Sequence, residues 1–222
     1  RFMLEKLKVK KVAYVHDNGD YGKGFCDNNR TLMEAAGAKT VLFEAITPDA
    51  VDFSPIVRKL RHAKADIIVF GGYQPTASKL LQQMRRARVN TVVIGPDGLK
   101  DDAFIKMAGE AAEGVYCSYP KDTASLPIYK EARQGHIDMF NAEPGSFYYN
   151  AYSAMLALIN AIKEAGSTET AKIVEALHTK KVSTPLGDLV FNKSGDAAGL
   201  ALSVYQIKGG KFVETDYSVT LD

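Results

Sequence analysis

Two tyrosines and one aspartate occupy similar positions in the sequence, and their chemistry suits a small cationic ligand. Tyr21, Tyr73 and Asp97 each stand a few residues after an apolar segment that has the character of a strand. A carboxylate beside aromatic rings offers an ammonium group charge neutralisation, hydrogen bonds and a cation–π contact. If the three segments are parallel strands of one sheet, these residues gather along one edge and predict a small-molecule site there.

Acid–base or metal chemistry is an alternative at the same edge. His16 and Asp17 directly follow the first apolar segment, and with Asp97 they could serve a small α/β enzyme or hold a metal ion. A metal site built from these three residues would lack a clear fourth ligand. His16 is therefore interpreted as a structural hydrogen-bonding residue. Asp17 is interpreted as an anchor that accepts hydrogen bonds from the backbone of the following turn.

Motifs of the common enzyme classes are absent from the sequence. Gly19, Gly22 and Gly24 have the spacing G-x-x-G-x-G, which departs from the G-x-G-x-x-G of dinucleotide-binding turns. A phosphoacceptor aspartate is missing after the third apolar segment, which continues into residues 71–73 (Gly-Gly-Tyr). The sequence has no nucleophile elbow, P-loop or H-E-x-x-H motif. The sequence therefore carries none of these enzyme signatures, and the small α/β enzyme that would use His16, Asp17 and Asp97 stays an alternative.

The first half of the chain alternates between strand and helix patterns. Apolar runs rich in Val and Ile predict strands near residues 11–16, 40–46, 66–71, 91–95 and 113–119. Between them, Leu80, Leu81, Met84 and Ala87 have the spacing of one buried helical stripe. Gly37 stands where it could stop the first helix. Such alternation predicts an α/β fold with a doubly wound, mostly parallel sheet and right-handed crossovers.

The second half has a different pattern. Residues 126–179 are helical in periodicity without intervening strands, and one long apolar stripe runs through Tyr148, Tyr152, Met155, Ile159 and Ile162. Strands follow over 182–191 and 200–213, the latter a hairpin that turns at residues 208–211. We expect residues 1–120 together with 200–222 to form one lobe, and residues 121–199 to form the helical part of a second, incomplete lobe.

Composition limits the possible partners and location. The 28 basic and 26 acidic side chains give a net charge of +2 without long runs, which argues against binding to nucleic acid or a membrane surface. No apolar stretch reaches the roughly 18 residues that cross a bilayer, and no signal peptide is visible after Arg1. Cys26 and Cys117 are expected to be small buried hydrophobes rather than a disulfide.

Seven short motifs carry a family resemblance. They are Lys11–Asp17 (KVAYVHD), Tyr21–Gly24 (YGKG), Asp52–Ser54 (DFS), Gly71–Tyr73 (GGY), Gly95–Gly98 (GPDG), Ala111–Val115 (AAEGV) and Gly187–Phe191 (GDLVF). Each is weak alone, but their order and spacing over essentially the whole chain are specific. The chain resembles the C-terminal portion of periplasmic binding proteins for branched-chain amino acids of the leucine/isoleucine/valine type, which serve ABC transporters.

The resemblance implies a type I periplasmic-binding-protein fold, in which two lobes close on a ligand. It also implies a binding protein with no enzymatic activity, no metal ligands and no cofactor. Tyr21 and Tyr73 match positions that line the pocket, and Asp97 matches the acidic position that receives the α-ammonium group of the ligand. That position is often glutamate in leucine-type members, so the shorter aspartate leaves the identity of the ligand open. Phe147 matches an aromatic position that packs on the ligand. The expected N-terminal half of lobe one is absent from this sequence.

The resemblance also implies a partner and a location. The expected partners are the amino acid ligand and the permease subunits of an ABC importer, with no nucleic acid, and the expected location is the periplasm or the outer face of the membrane. A ligand-sensing domain of a regulator or receptor with the same fold is the alternative. The ligand could also be another amino acid, an amide, urea or an aromatic acid.

Overall fold

The computed structural model describes residues 1–221, which form two compact units. The first unit comprises Arg1–Tyr119 and Val204–Tyr217. The second comprises Pro120–Ser203 and the residues from Ser218 onward. The chain leaves the first unit at the end of its fifth strand and returns to it through the closing hairpin, so each unit is built from more than one segment.

The strands and helices alternate through the first unit and separate into blocks in the second. The strands are β1 Lys11–His16, β2 Lys39–Ala45, β3 Ile67–Gly71, β4 Val92–Gly95, β5 Tyr116–Pro120, β6 Val182–Thr184, β7 Gly187–Phe191, β8 Ala197–Ala198, β9 Ala201–Lys208 and β10 Lys211–Thr220. The helices are α1 Phe2–Glu5, α2 Asp20–Ala35, α3 Ser54–Ala63, α4 Gln74–Arg86, α5 Asp102–Ala108, α6 Pro127–Phe140, α7 Tyr148–Ala165 and α8 Thr170–Thr179. Two short 3-10 turns cover Asp97–Leu99 and Gly109–Ala112.

The predicted mostly parallel sheet is confirmed. Seven strands lie in the order β10-β9-β5-β4-β3-β1-β2, and the pairs β1–β2, β1–β3, β3–β4 and β4–β5 are parallel. The fifth strand begins at Tyr116 instead of near residue 113, because a 3-10 turn and the left-handed Gly114 (φ 78°) come first. The order places β1, β3 and β4 side by side, with their carboxyl ends at one edge.

The strand β1 is buried on both faces, as its continuous apolar run predicts. Alternate residues of a strand point to opposite faces. Ala13 and Val15 accordingly join one apolar cluster, and Val12 and Tyr14 join another. Helices α3 and α4 cover the first cluster, and α2 covers the second. The sheet is therefore covered on both sides, which is the doubly wound arrangement.

Helix α4 confirms the predicted stripe. Leu80, Leu81 and Met84 are buried, and Ala87 packs at the margin of the same cluster. Helix α2 ends at Ala35, and Gly37 follows with a φ of 86° that favours glycine. Helix periodicity and the stop signal were thus both readable from the sequence.

The region predicted to be helical without intervening strands forms three helices, α6, α7 and α8, in the second unit. Helix α7 buries Tyr149, Ser153, Ala157 and Ala161, which recur every fourth residue. Small side chains at three of these positions let the neighbouring backbone approach closely. The larger residues of the predicted stripe lie on other faces, and Met155 and Ile159 are exposed.

Of the two strand predictions after residue 180, one needs correction and the other is confirmed. The single run predicted over 182–191 is a short antiparallel hairpin, in which β6 pairs with β7 across Pro185 and Leu186. The proline and the left-handed Gly187 (φ 114°) interrupt the run. The hairpin that turns at Gly209 and Gly210 is confirmed, although its second strand continues beyond Val213.

The two cysteines are buried free thiols, as predicted, with Cys26 on α2 and Cys117 on β5. Burial raises the pKa of each thiol to about 12, so both stay protonated at neutral pH. Among the described residues, no helix is long and apolar enough to traverse a lipid bilayer.

Candidate functional site

The site lies where β1, β3 and β4 end. β1 leads through Asp17 into α2, and β3 leads through Gly72 and Tyr73 into α4. β4 leads through Pro96 into the 3-10 turn that begins at Asp97. Because the three strands are parallel neighbours, their loops lie together at one edge, where ligands bind in open α/β sheets.

The structure brings Tyr21, Tyr73 and Asp97 together. The rings of Tyr21 and Tyr73 stack with centroids 5.3 Å apart and planes 29° apart, and the Tyr21 hydroxyl donates a hydrogen bond to the carboxylate of Asp97. Both rings remain open to solvent, with Tyr21 40% and Tyr73 47% exposed. Partial burial, and then the bond to Asp97, raise the pKa of Tyr21, so its hydroxyl stays protonated and continues to donate.

Glycines around the cluster allow the close approach of backbone and rings. A Cβ on Gly98 would lie 3.0 Å from the ring of Tyr73, so the absence of a side chain lets that ring settle against the turn. A Cβ on Gly22 would lie 2.5 Å from the carbonyl oxygen of Gly71, where α2 packs directly on the end of β3. Gly22 therefore serves helix–strand packing, which gives the glycine-rich segment a structural role.

The residues below the cluster are held in structural bonds. His16 is 3% exposed, and its Nδ1 accepts a hydrogen bond from the backbone N–H of Asn18 at 3.2 Å. Burial lowers the pKa of His16, which favours the neutral ring. Asp17 is 8% exposed and accepts a bond from the N–H of Gly19 at 3.0 Å. These contacts agree with the structural interpretation of both residues.

A second set of contacts fixes the turn that carries Asp97. Leu99 is fully buried against Gly95 in the core. The ammonium group of Lys100 lies over three aromatic rings, 4.7 Å from the centroid of Tyr119, 4.6 Å from that of Tyr205 and 5.2 Å from that of Phe212. Two contacts of different kinds, one apolar and one cation–π, therefore hold the residues that follow Asp97 in the turn.

The fourth predicted residue, Phe147, belongs to the second unit. It directly precedes α7 and is 46% exposed. Its predicted contact with a ligand stays a prediction. Within residues 1–221 no group of three or more His, Cys, Asp or Glu side chains could hold a metal ion.

Sequence reasoning did not find Lys100, Leu99 or the packing role of Gly98. The motif Gly95-Pro96-Asp97-Gly98 indicated the turn. The three rings around Lys100, called its cage below, lie on β5, β9 and β10, and these strands are not all close together in the sequence. Pairing of these strands had to be known before the cage could be seen.

Comparison with known proteins identifies relatives of the chain. A sequence model for the family described as "Periplasmic binding protein" matches residues 1–211. The chain is 33% identical over 96% of its length to "Leu/Ile/Val-binding protein homolog 3" of Brucella melitensis, and covers 58% of that protein. It is 32% identical over 93% of its length to the "Leucine-, isoleucine-, valine-, threonine-, and alanine-binding protein" of Pseudomonas aeruginosa, covering 55% of it. The chain thus spans a little more than half of these relatives.

Two solved structures share the fold. A leucine binding protein, LivK, of Thermotoga maritima superposes with a TM-score of 0.87 at 23% identity, covering 99% of this chain and 63% of that one. The branched-chain amino acid transporter substrate binding protein LivJ of Streptococcus pneumoniae, solved in complex with isoleucine, gives a TM-score of 0.80 at 24% identity, covering 99% and 62%. At these identities the likeness establishes the type I periplasmic-binding-protein fold.

Proposed function

Because the chain belongs to the periplasmic binding protein family, we propose that it forms part of a solute-binding protein that captures a branched-chain amino acid for an ABC importer. The names of its relatives support this choice of ligand class, since both are binding proteins for leucine, isoleucine and valine, and one is named for threonine and alanine as well. They also favour transport over the alternative of a sensing domain.

One observation carries the proposal, which is the cluster of Tyr21, Tyr73 and Asp97. The hydrogen bond from Tyr21 uses one oxygen of the Asp97 carboxylate and holds that group in place before any ligand arrives. An amino acid presents a primary ammonium group, which needs an anionic acceptor and neighbouring polar or aromatic groups. In the proposal, Asp97 neutralises the ammonium, and the two tyrosines supply hydroxyls and ring faces.

The rest of the binding site follows from the proposed lobes. Residues 1–120 with 200–222 are assigned to the lobe that takes the ammonium end, and residues 121–199 to the helical part of the other lobe. Phe147 is assigned an apolar contact with the ligand. A ligand that contacts both lobes only in the closed state would shift the protein toward closure by its differential affinity.

The proposed protein binds its ligand without changing it chemically. Its assigned partners are the amino acid and the permease subunits of the importer, and its assigned location is the periplasm or the outer face of the membrane. The family to which the chain belongs supports each of these assignments.

The experiment that tests the function is a thermal-shift screen of amino acids on the protein as its gene encodes it. A ligand present at 100 times its Kd stabilises the folded state by about 2.7 kcal/mol. We expect leucine, isoleucine or valine to give the largest rise in Tm, with charged amino acids giving little. A screen in which no amino acid raises Tm would contradict the proposal.

A further inference from the structure

A groove between α3 and α4 lies outside the cluster of Tyr21, Tyr73 and Asp97. It has a volume of about 490 Å³, within the range of small-ligand sites. Both helices cover the same face of the sheet, since their apolar residues join one cluster. Its lining includes Asp52, Arg58, Arg61, Gln83 and Arg86. Three guanidinium groups from two helices therefore face one opening, although the net charge of the whole chain is only +2.

The charge of the three arginines is only partly balanced by the protein itself. Within residues 1–221, no ion pair within 4.0 Å involves Arg58, Arg61 or Arg86. Lys59, on the same helix, is by contrast paired with Glu44 at 2.6 Å. Like charges gathered at one place repel each other, so an anion that enters the groove gains from all three.

Among the residues that the structure describes, one carboxylate lines the groove, and it is already engaged. Asp52 accepts a hydrogen bond from the backbone N–H of Ser54 at 2.8 Å. Bonds from Ser54, with a smaller contribution from the charge of Arg58, lower the pKa of Asp52, so it stays ionised at neutral pH. Three positive charges against one negative charge leave a net charge of about +2 at the opening, which suits a dianion.

The walls of the groove are fixed by hydrogen bonds. The Gln83 amide accepts from the N–H of Phe53 at 2.7 Å and donates to the carbonyl oxygen of Val51 at 2.8 Å, which ties α4 to the segment before α3. The Arg61 guanidinium donates to the carbonyl oxygen of Ala87, just beyond the end of α4. A groove held open in this way loses little entropy when a ligand binds.

We propose that this groove binds a phosphate group, either free or on a lipid headgroup. Guanidinium groups bind phosphate oxygens through paired, charge-assisted hydrogen bonds. Arg58 and Arg61 lie three residues apart on one face of α3, and Arg86 reaches the opening from the last turn of α4. The site is separate from the amino-acid site and does not depend on it.

The test titrates the protein with inorganic pyrophosphate and follows the heat of binding, for the original sequence and for Arg58→Gln, Arg86→Gln and the double variant. The matched control is Arg88→Gln, which removes the same charge two residues from Arg86, outside the lining of the groove. We expect each groove variant to weaken binding about tenfold, since a bond to a charged group contributes about 1.5 kcal/mol. The control should change it less than twofold. Thermal unfolding of each variant verifies that it is folded.

A second arm separates the two sources of phosphate. Phosphatidylcholine vesicles with and without phosphatidic acid are sedimented with the protein. Binding that requires phosphatidic acid and is lost in the double variant assigns the site to a lipid headgroup, whereas binding of pyrophosphate alone assigns it to a free anion. The proposal is overturned if neither probe binds, or if Arg88→Gln weakens binding as much as the groove variants do.

Discussion

The hydroxyl of Tyr21 donates a hydrogen bond to the carboxylate of Asp97 and so links the first turn of α2 to the turn after β4. The two residues are 76 positions apart in the sequence, and parallel pairing of β1, β3 and β4 is what brings them together. The bond orients the carboxylate while leaving its second oxygen for other partners. An acceptor that is held in place in this way binds an ammonium group at a lower cost in entropy.

Replacing Tyr21 by Phe should weaken binding of the amino acid by about 1 kcal/mol, or roughly fivefold, because the ring is kept but the bond that orients Asp97 is lost. Calorimetric titration measures the change. Tyr14→Phe is the control, since its hydroxyl bonds to Asn29 at 3.3 Å within the core instead. It should alter stability while leaving affinity unchanged. Equal affinity of Tyr21→Phe and the original protein would refute the orienting role.

Gly22 and Gly24 stand in the same helix but should respond in opposite ways to alanine. A Cβ on Gly22 would come within 2.5 Å of the Gly71 carbonyl oxygen, whereas a Cβ on Gly24 would meet nothing within 4 Å. We expect Gly22→Ala to lower the free energy of unfolding by about 2–3 kcal/mol. Gly24→Ala should raise it by about 0.5–1 kcal/mol, because alanine favours the helix. Urea denaturation compares the two, and similar effects of both changes would rule out the packing explanation.

Lys100→Met should lower the free energy of unfolding by about 1 kcal/mol, because the cation that the three rings surround is removed. Lys100→Arg should restore most of the loss, since a guanidinium group also binds aromatic faces. Lys106→Met, at an exposed position of α5, is the control and should change the free energy of unfolding by less than about 0.5 kcal/mol. If Lys100→Arg is as unstable as Lys100→Met, the cation–π explanation fails.

Asp66 should give stability a dependence on acidic pH. Its carboxylate accepts hydrogen bonds from the backbone N–H groups of Lys10 and Lys11, each at 2.8 Å, and these bonds lower its pKa. The stabilisation is therefore present above the ordinary pKa of about 4 and is lost as the pH falls through the lower pKa of the folded state. Asp66→Asn should lower the free energy of unfolding by about 1 kcal/mol at pH 7, because the two hydrogen bonds lose their charged acceptor. The loss is no larger because the site is exposed and solvent screens the charge.

Urea denaturation of Asp66→Asn and of the original protein between pH 7 and pH 2.5 tests this dependence. The difference between the two proteins should shrink below about pH 4, where the carboxylate takes up a proton. A difference that stays constant over the whole range would show that the two hydrogen bonds do not depend on the charge.

The sequence predicted those features that depend on local pattern. The apolar runs of β1 and β3, the buried stripe of α4 and the stop at Gly37 all follow from periodicity or backbone preference. The meeting of Tyr21, Tyr73 and Asp97 followed from one further rule, that parallel strands end at the same edge.

Features that depend on contacts beyond the shared edge of the parallel strands were not predicted. The cage of Lys100 needs β5, β9 and β10 side by side. The groove of Arg58, Arg61 and Arg86 needs two helices that are separate in the sequence, and a count of charges along the chain gave no sign of it. The buried face of α7 was missed because small residues such as Ala157 and Ala161, rather than the larger apolar ones, fill it.

The measurement that tests the central claim most directly is the calorimetric affinity of the amino acid that gives the largest thermal shift, for the original protein and for Asp97→Ala. We expect the change to weaken binding by about 2–4 kcal/mol, because the ammonium group loses its charged partner on leaving water. Asp102→Ala, an exposed carboxylate on α5, is the control and should bind normally. An affinity of Asp97→Ala equal to that of the original protein would contradict the assignment of the site.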